Sequence, residues 1–126
     1  MGKVLLVGVG GFLGSMARYL LSGYVQAGTS ATFPYGTLAV NVTGCLFIGV
    51  LSQLAEARSF LSPDARAMVL VGILGGYTTF SAFGNETVNL LRDADWSLAI
   101  VNVGAHVVFG IGAVWFGRML AHLIWG

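Results

Sequence analysis

The chain has 126 residues, 56% hydrophobic and 9% charged, with six Lys/Arg against five Asp/Glu and a formal net charge of +1. A soluble domain carries about 25% charged residues to dress its surface, and a domain this small has no core large enough to hide so much apolar side chain. These numbers exclude a soluble globular domain in favour of a membrane protein, and the balanced charge without a basic cluster leaves no footprint for nucleic acid.

A helix of about 20 residues rises about 30 Å, the depth of the hydrocarbon core. The first such segment runs roughly from Val4 to Tyr24. Its start, "MGKVLLVGVGGFLGSMARYLL", imitates three other signals. A signal peptide is rejected because the apolar run continues past Gly14 to Leu21 and further membrane-length segments follow. A dinucleotide loop is rejected because the glycines at 8, 10 and 14 miss the usual spacing. Myristoylation is rejected because Leu6 stands where Ser or Thr is wanted.

The second span is expected roughly from Phe33 to Leu54, with Pro34 near its start, the third from Ala65 to Leu91 and the fourth from Trp96 to Ile124. The chain is thus expected to be one all-α transmembrane domain over residues 1–126. Cys45 lies inside the second run, where a buried small hydrophobe is the default reading of a single cysteine. Four crossings put both termini on one side with Lys3, Arg58, Arg66 and Arg118, against Arg92 and Arg18 on the other. This bias leans towards cytoplasmic termini. Nineteen glycines fit close helix contacts, because association in lipid favours small residues; Gly10/Gly14 and Cys45/Gly49 recur at i,i+4.

Polar groups at membrane depth are costly and face protein or a wet cavity. Arg18 lies about 21 Å along the first span by helix rise. It reads either as an interfacial anchor or as a positive group drawing anions towards a pathway. Asn41, near the middle of span two, reads either as a helix-to-helix hydrogen bond or as a pore-lining amide whose donors suit an anion. His106, on one face of span four with Asn102 and Gly110, reads as a neutral ring donating to a carbonyl, as a pathway group, or as a metal ligand. The N-x-T patterns at Asn41 and Asn85 are accidental if buried in the membrane.

The stretch "GGYTTFSAFGNE" at 75 to 86 is the most unusual. Two glycines weaken the helix and Thr78, Thr79 and Ser81 offer hydroxyls to backbone groups, which predicts an interruption near residues 76 to 81. Such a break is tolerated where its backbone groups are buried in protein or meet ligands. Carbonyls ending the first half suit a cation and amides opening the second suit an anion. Phe80 and Phe83, at i,i+3, share a face, and their positive ring edges suit a small anion. Glu86 lies one turn further, where it would cap a water-filled mouth or pair with an arginine.

"GGFLGSMARY" at 10 to 19, "GTLAVNVTG" at 36 to 44 and "GGYTTFSAFGNE" together resemble the small bacterial fluoride channels called Fluc or CrcB, over essentially the whole chain. The resemblance implies an antiparallel, dual-topology homodimer in the bacterial inner membrane, not an enzyme. It implies passive export of fluoride by two pathways, with a structural sodium ion at the subunit interface. By position, Phe80, Phe83 and Asn41 match the family's pore residues, and Ser81 the hydroxyl after the first phenylalanine. Arg18 and Glu86 match its first-span arginine and third-span glutamate, and Gly75 and Thr78 the carbonyls that hold sodium. Asn102 and His106 depart from the tyrosine and serine that many members carry, leaving their part in the polar track open.

The competing reading is a small multidrug exporter, also a four-helix dual-topology dimer. It would want an acidic residue in the first span, where this chain has Arg18. A structural membrane subunit would not account for a break, Asn41 and paired phenylalanines together. No nucleophile–base pair or HExxH motif argues for an intramembrane enzyme.

Overall fold

Four segments long and apolar enough to cross a membrane make up the chain, described for residues 1–126 by a computed structural model. Helix α1 spans Gly2–Ala27 and α2 spans Tyr35–Arg58. The third crossing, Pro63–Arg92, is assembled from pieces: α3 (Pro63–Arg66), a π-helical stretch (Ala67–Ile73), α4 (Leu74–Tyr77) and α5 (Phe80–Arg92). Helix α6 spans Trp96–Trp125. There is no strand, and the four spans expected from hydropathy are all present.

Local chemistry sets the ends. Pro34 precedes the first turn of α2, and Pro63 opens α3, positions where a missing N–H costs no helical bond. The Ser62 hydroxyl accepts from the Ala65 N–H at 3.2 Å, and the Thr79 hydroxyl accepts from Ala82 N–H at 3.1 Å, so each arm of the third span begins on a side-chain cap. Gln26 closes the loop between α1 and α2. Its Oε1 accepts from Gly36 N–H at 3.0 Å while its Nε2 donates to the Phe33 carbonyl at 3.1 Å.

The break sits at Thr78 and Thr79, inside the expected window. Thr78 (φ −90, ψ 157) and Thr79 (φ −149, ψ 113) are extended. Two details differ from expectation. Gly75 and Gly76 remain helical, and the helix ahead of them is widened to π geometry, a form frequent at functional sites. What ends the helix is a competing partner: the Thr79 N–H, which would close on Gly75, goes instead to Asn41 Oδ1 at 2.7 Å.

The glycines answer to packing. A Cβ on Gly10 or Gly14 of α1 would strike the Met68 or Ile73 carbonyl, and one on Gly76 would strike the Gly11 carbonyl. The first arm of the third span is therefore pressed backbone to backbone on α1. Helix α2 packs mainly on α6, with Gly49 and Gly117 at their closest approach, and α5 packs on α6. Only 20 of 126 residues are buried, so most apolar side chains, Phe12, Leu20, Val108 and Ile111 among them, face outward to be covered by lipid or protein.

Candidate functional site

The helix break and one amide organise the site. Asn41, 9% exposed on α2, meets Thr79 in both directions: Oδ1 accepts from its N–H at 2.7 Å and Nδ2 donates to its carbonyl at 3.0 Å. A side-chain amide thus replaces the helical partners that an extended Thr79 has given up. The second N–H of Asn41 reaches His106 Nε2 at 3.0 Å. His106 Nδ1 lies 3.0 Å from the Asn102 carbonyl, one turn back on α6. A carbonyl only accepts and an amide nitrogen only donates, so both contacts assign the same neutral ring, protonated at Nδ1.

The chain of bonds continues. Asn102, wholly buried, donates from Nδ2 to Thr87 Oγ1 at 2.9 Å, and that hydroxyl donates to the Phe83 carbonyl at 2.7 Å. The bonds run without interruption from Thr79 through α2 and α6 back to α5, each with one allowed direction. The Phe83 ring stacks at a tilt on His106, centroids 4.3 Å apart, and lies 5.4 Å from the ring of Phe80. Phe80 is 82% exposed in the single chain.

These groups border one cavity of about 430 Å³. Asn41, Gly75, Thr78, Phe80, Phe83 and His106, six of the residues expected to form a site, line it together. The other three stand apart. Arg18 donates from Nε to the Gly76 carbonyl at 2.9 Å, placing a guanidinium at the end of α4, where cations complement the helix dipole. Ser81 is exposed, its hydroxyl 3.3 Å from that of Thr79. Glu86 accepts from the Thr37 hydroxyl at 2.7 Å, one turn beyond the cavity; its Oε2 and the Asn102 Oδ1 are buried acceptors without a donor.

Backbone oxygens also matter. Thr78 lies outside any helix, and no turn or loop N–H donates to its carbonyl, while that of Gly75 has lost Thr79 to Asn41. Both residues line the open cavity. Sequence reasoning counted Thr79 only as a hydroxyl; its backbone is what Asn41 holds. Thr37 shares the Asn41 face by its i,i+4 spacing, but its bond to Glu86 was not legible; Thr87, the partner of Asn102, was missed, and so was the bond of 2.8 Å between Thr43 and Tyr77. Thr37 and Thr43 stand on an otherwise apolar run, which is a signal, whereas Thr87 is flanked by Asn85, Glu86 and Asn89 and gives none.

The family described as "CrcB-like protein, Camphor Resistance (CrcB)" matches residues 5–118. The chain is 45% identical over 122 residues to a protein of Desulforapulum autotrophicum, covering 97% of this chain and 98% of that one. It is 39% identical over 124 residues to one of Maridesulfovibrio salexigens, covering 98% of each. It is 45% identical over 123 residues to one of Opitutus terrae, covering 96% of this chain and 93% of that one. Each of these relatives carries the name fluoride-specific ion channel FluC. A match spanning all four crossings, with the helix break and its amide inside it, makes this multi-pass membrane protein a member of the CrcB family.

Proposed function

We propose that the chain is the subunit of a passive, fluoride-selective channel that releases fluoride from the cytoplasm across the bacterial inner membrane. One observation carries the reading: in a chain whose relatives are named fluoride-specific ion channels, a broken helix, a buried amide and two phenylalanine rings meet at a single cavity. Fluoride holds water tightly, so passage needs several weak replacements in succession and no single strong trap. Ring edges at Phe80 and Phe83 offer weak positive charge. Asn41 adds a donor of a particular kind. Its outer N–H is already given to His106 Nε2, so an arriving anion exchanges one acceptor for another and gains little net energy. Arg18, beside the break, supplies positive charge to the approach.

The single chain leaves the cavity open to one side and the Phe80 ring on its wall largely exposed, which supports an antiparallel homodimer whose second copy closes the wall and duplicates the pathway. The free carbonyls of Gly75 and Thr78 fit a hard cation held by backbone oxygens. Sodium bound there would supply positive charge that ties the two breaks together. Transport needs no catalytic step, and no side chain here is asked to perform one.

Purified protein in vesicles loaded with fluoride or chloride tests the reading. Fluoride should leave and chloride stay; retained fluoride in vesicles carrying folded protein overturns it. Labelling of terminal tags from both sides of the membrane tests the arrangement, and a single orientation in functional protein removes the antiparallel dimer.

A further inference from the structure

His106 departs from the family's pattern, which leaves its part in the polar track open, yet it is the joint of the polar chain around Phe83. Its Nδ1 is fixed on the Asn102 carbonyl and its Nε2 on Asn41, both at 3.0 Å, with Phe83 stacked on its face. The direction of each bond matters. Thr79 N–H demands Asn41 Oδ1, so Asn41 can present only an N–H to His106. If the ring gains a proton at Nε2, two donors face each other across that contact. Flipping the amide gives no relief, because Nδ2 would then meet the Thr79 N–H.

We infer that His106 is a positioning residue that governs Asn41: neutral, it holds the amide against the helix break and lets an anion exchange for it, and protonated, it converts that point into a trap. The inference rests on the fluoride reading above. With a cationic ring, an anion beside Asn41 would meet two donors and a full charge, and would have no acceptor to displace. Binding there tightens, the break loses its fixed partner, and conduction falls. Acid is also the condition in which fluoride enters cells as the neutral acid, so the device would throttle the channel when external acid reaches the pathway.

The surroundings of the ring decide whether this is a local event. Helices α2 and α5 pack against α6. From α2, Cys45 is the titratable group that shares the cavity; Glu56 and Arg58 lie about 22 Å or more along the helix from Asn41. From α5, Glu86 is the charged neighbour whose field reaches the ring, and Arg92 is two turns further off. On α6 itself, Arg118 and His122 are about 18 and 24 Å away by helix rise. Glu86 is itself an acceptor for Thr37, so its carboxylate and the ring are separate groups whose titrations the variants below distinguish.

Two measurements test the inference. Nitrogen-15 spectra of His122→Gln protein in lipid nanodiscs leave His106 as the single histidine signal, and the neutral Nδ1–H tautomer is expected. The Nε2–H tautomer at neutral pH overturns the inference, and this result does not depend on any transport. Fluoride current in planar bilayers, which the neutral acid does not carry, should fall about threefold or more as the pH drops from about 7 to about 4.5, the acid side of the range in which histidine changes charge. His106→Gln, whose carbonyl can accept from Asn41 without titrating, should conduct with a flat profile, and Glu86→Gln should keep the fall. Equal pH profiles for wild type and His106→Gln overturn it, as does a fall that vanishes in Glu86→Gln. If wild-type protein carries no fluoride current at all, the channel reading fails, and the tautomer alone decides whether His106 holds Asn41.

Discussion

The two arms of the third span are held in different ways. The first, through the π-helical stretch and α4, lies against α1 mainly by close backbone packing at Gly10, Gly14 and Gly76, with Arg18 on the Gly76 carbonyl and Thr43 on Tyr77 as its side-chain bonds. The second, α5, is tied by side chains: Asn41 to Thr79, Thr37 to Glu86 and Asn102 to Thr87. Backbone packing of the first kind is rigid and indifferent to charge, whereas hydrogen-bonded side chains can exchange partners with an ion or with water. The difference teaches where conduction has room to act: beside the second arm, with the first as its abutment.

Breaking the abutment should have the largest effect. Gly14→Val places a branched side chain where even one Cβ would strike the Ile73 carbonyl, and overpacking that no rotamer relieves costs upwards of about 3 kcal/mol. Loss of monodisperse protein on size exclusion is expected; a yield and thermal midpoint equal to wild type would mean the seam is not close-packed. The polar side of the comparison comes next. Asn41→Leu leaves the half-buried Thr79 N–H and carbonyl without their partner and should cost about 2 kcal/mol by thermal denaturation, together with fluoride efflux. Asn41→Asp keeps the acceptor for Thr79 N–H but turns acceptors towards the Thr79 carbonyl and His106, so it should conduct less than Asn41→Leu. Efflux at the wild-type rate from folded Asn41→Asp would remove the amide from the pathway.

A smaller change separates conduction from stability. Phe80 is exposed in the single chain, so Phe80→Ile should fold yet lower fluoride efflux about tenfold, equivalent to about 1.4 kcal/mol, by removing a positive ring edge. An unchanged rate would show that bulk suffices there. The smallest effect sharpens the contrast between the arms through their matched caps. Ser62→Ala removes an exposed cap and should cost about 1 kcal/mol, while Thr79→Ala, which removes the equivalent hydroxyl beside the cavity, should cost more and also slow fluoride. Equal costs for the two would mean that water reaches both caps alike.

The amino-acid order by itself determined the four crossings, because bilayer thickness sets a minimum apolar length and backbone groups in lipid must be satisfied within a helix. It also pointed to an interruption within residues 76 to 81, where hydroxyls compete for backbone groups, although the glycines stayed helical and the break at Thr79 needed Asn41 from α2. Gly10 and Gly14 were legible as a seam for a similar reason: i,i+4 spacing defines a face before any partner is known. The family was legible too, from motifs on three spans. Tertiary structure alone decided the partners. Asn41 finds Thr79 across 38 residues and His106 across 65, and Arg18 finds Gly76 across 58. Those pairings depend on how α2, α6 and the π-widened third span rotate against one another. A polar residue in a helix announces that it needs a partner, but its spacing carries no record of which distant backbone group will be turned towards it.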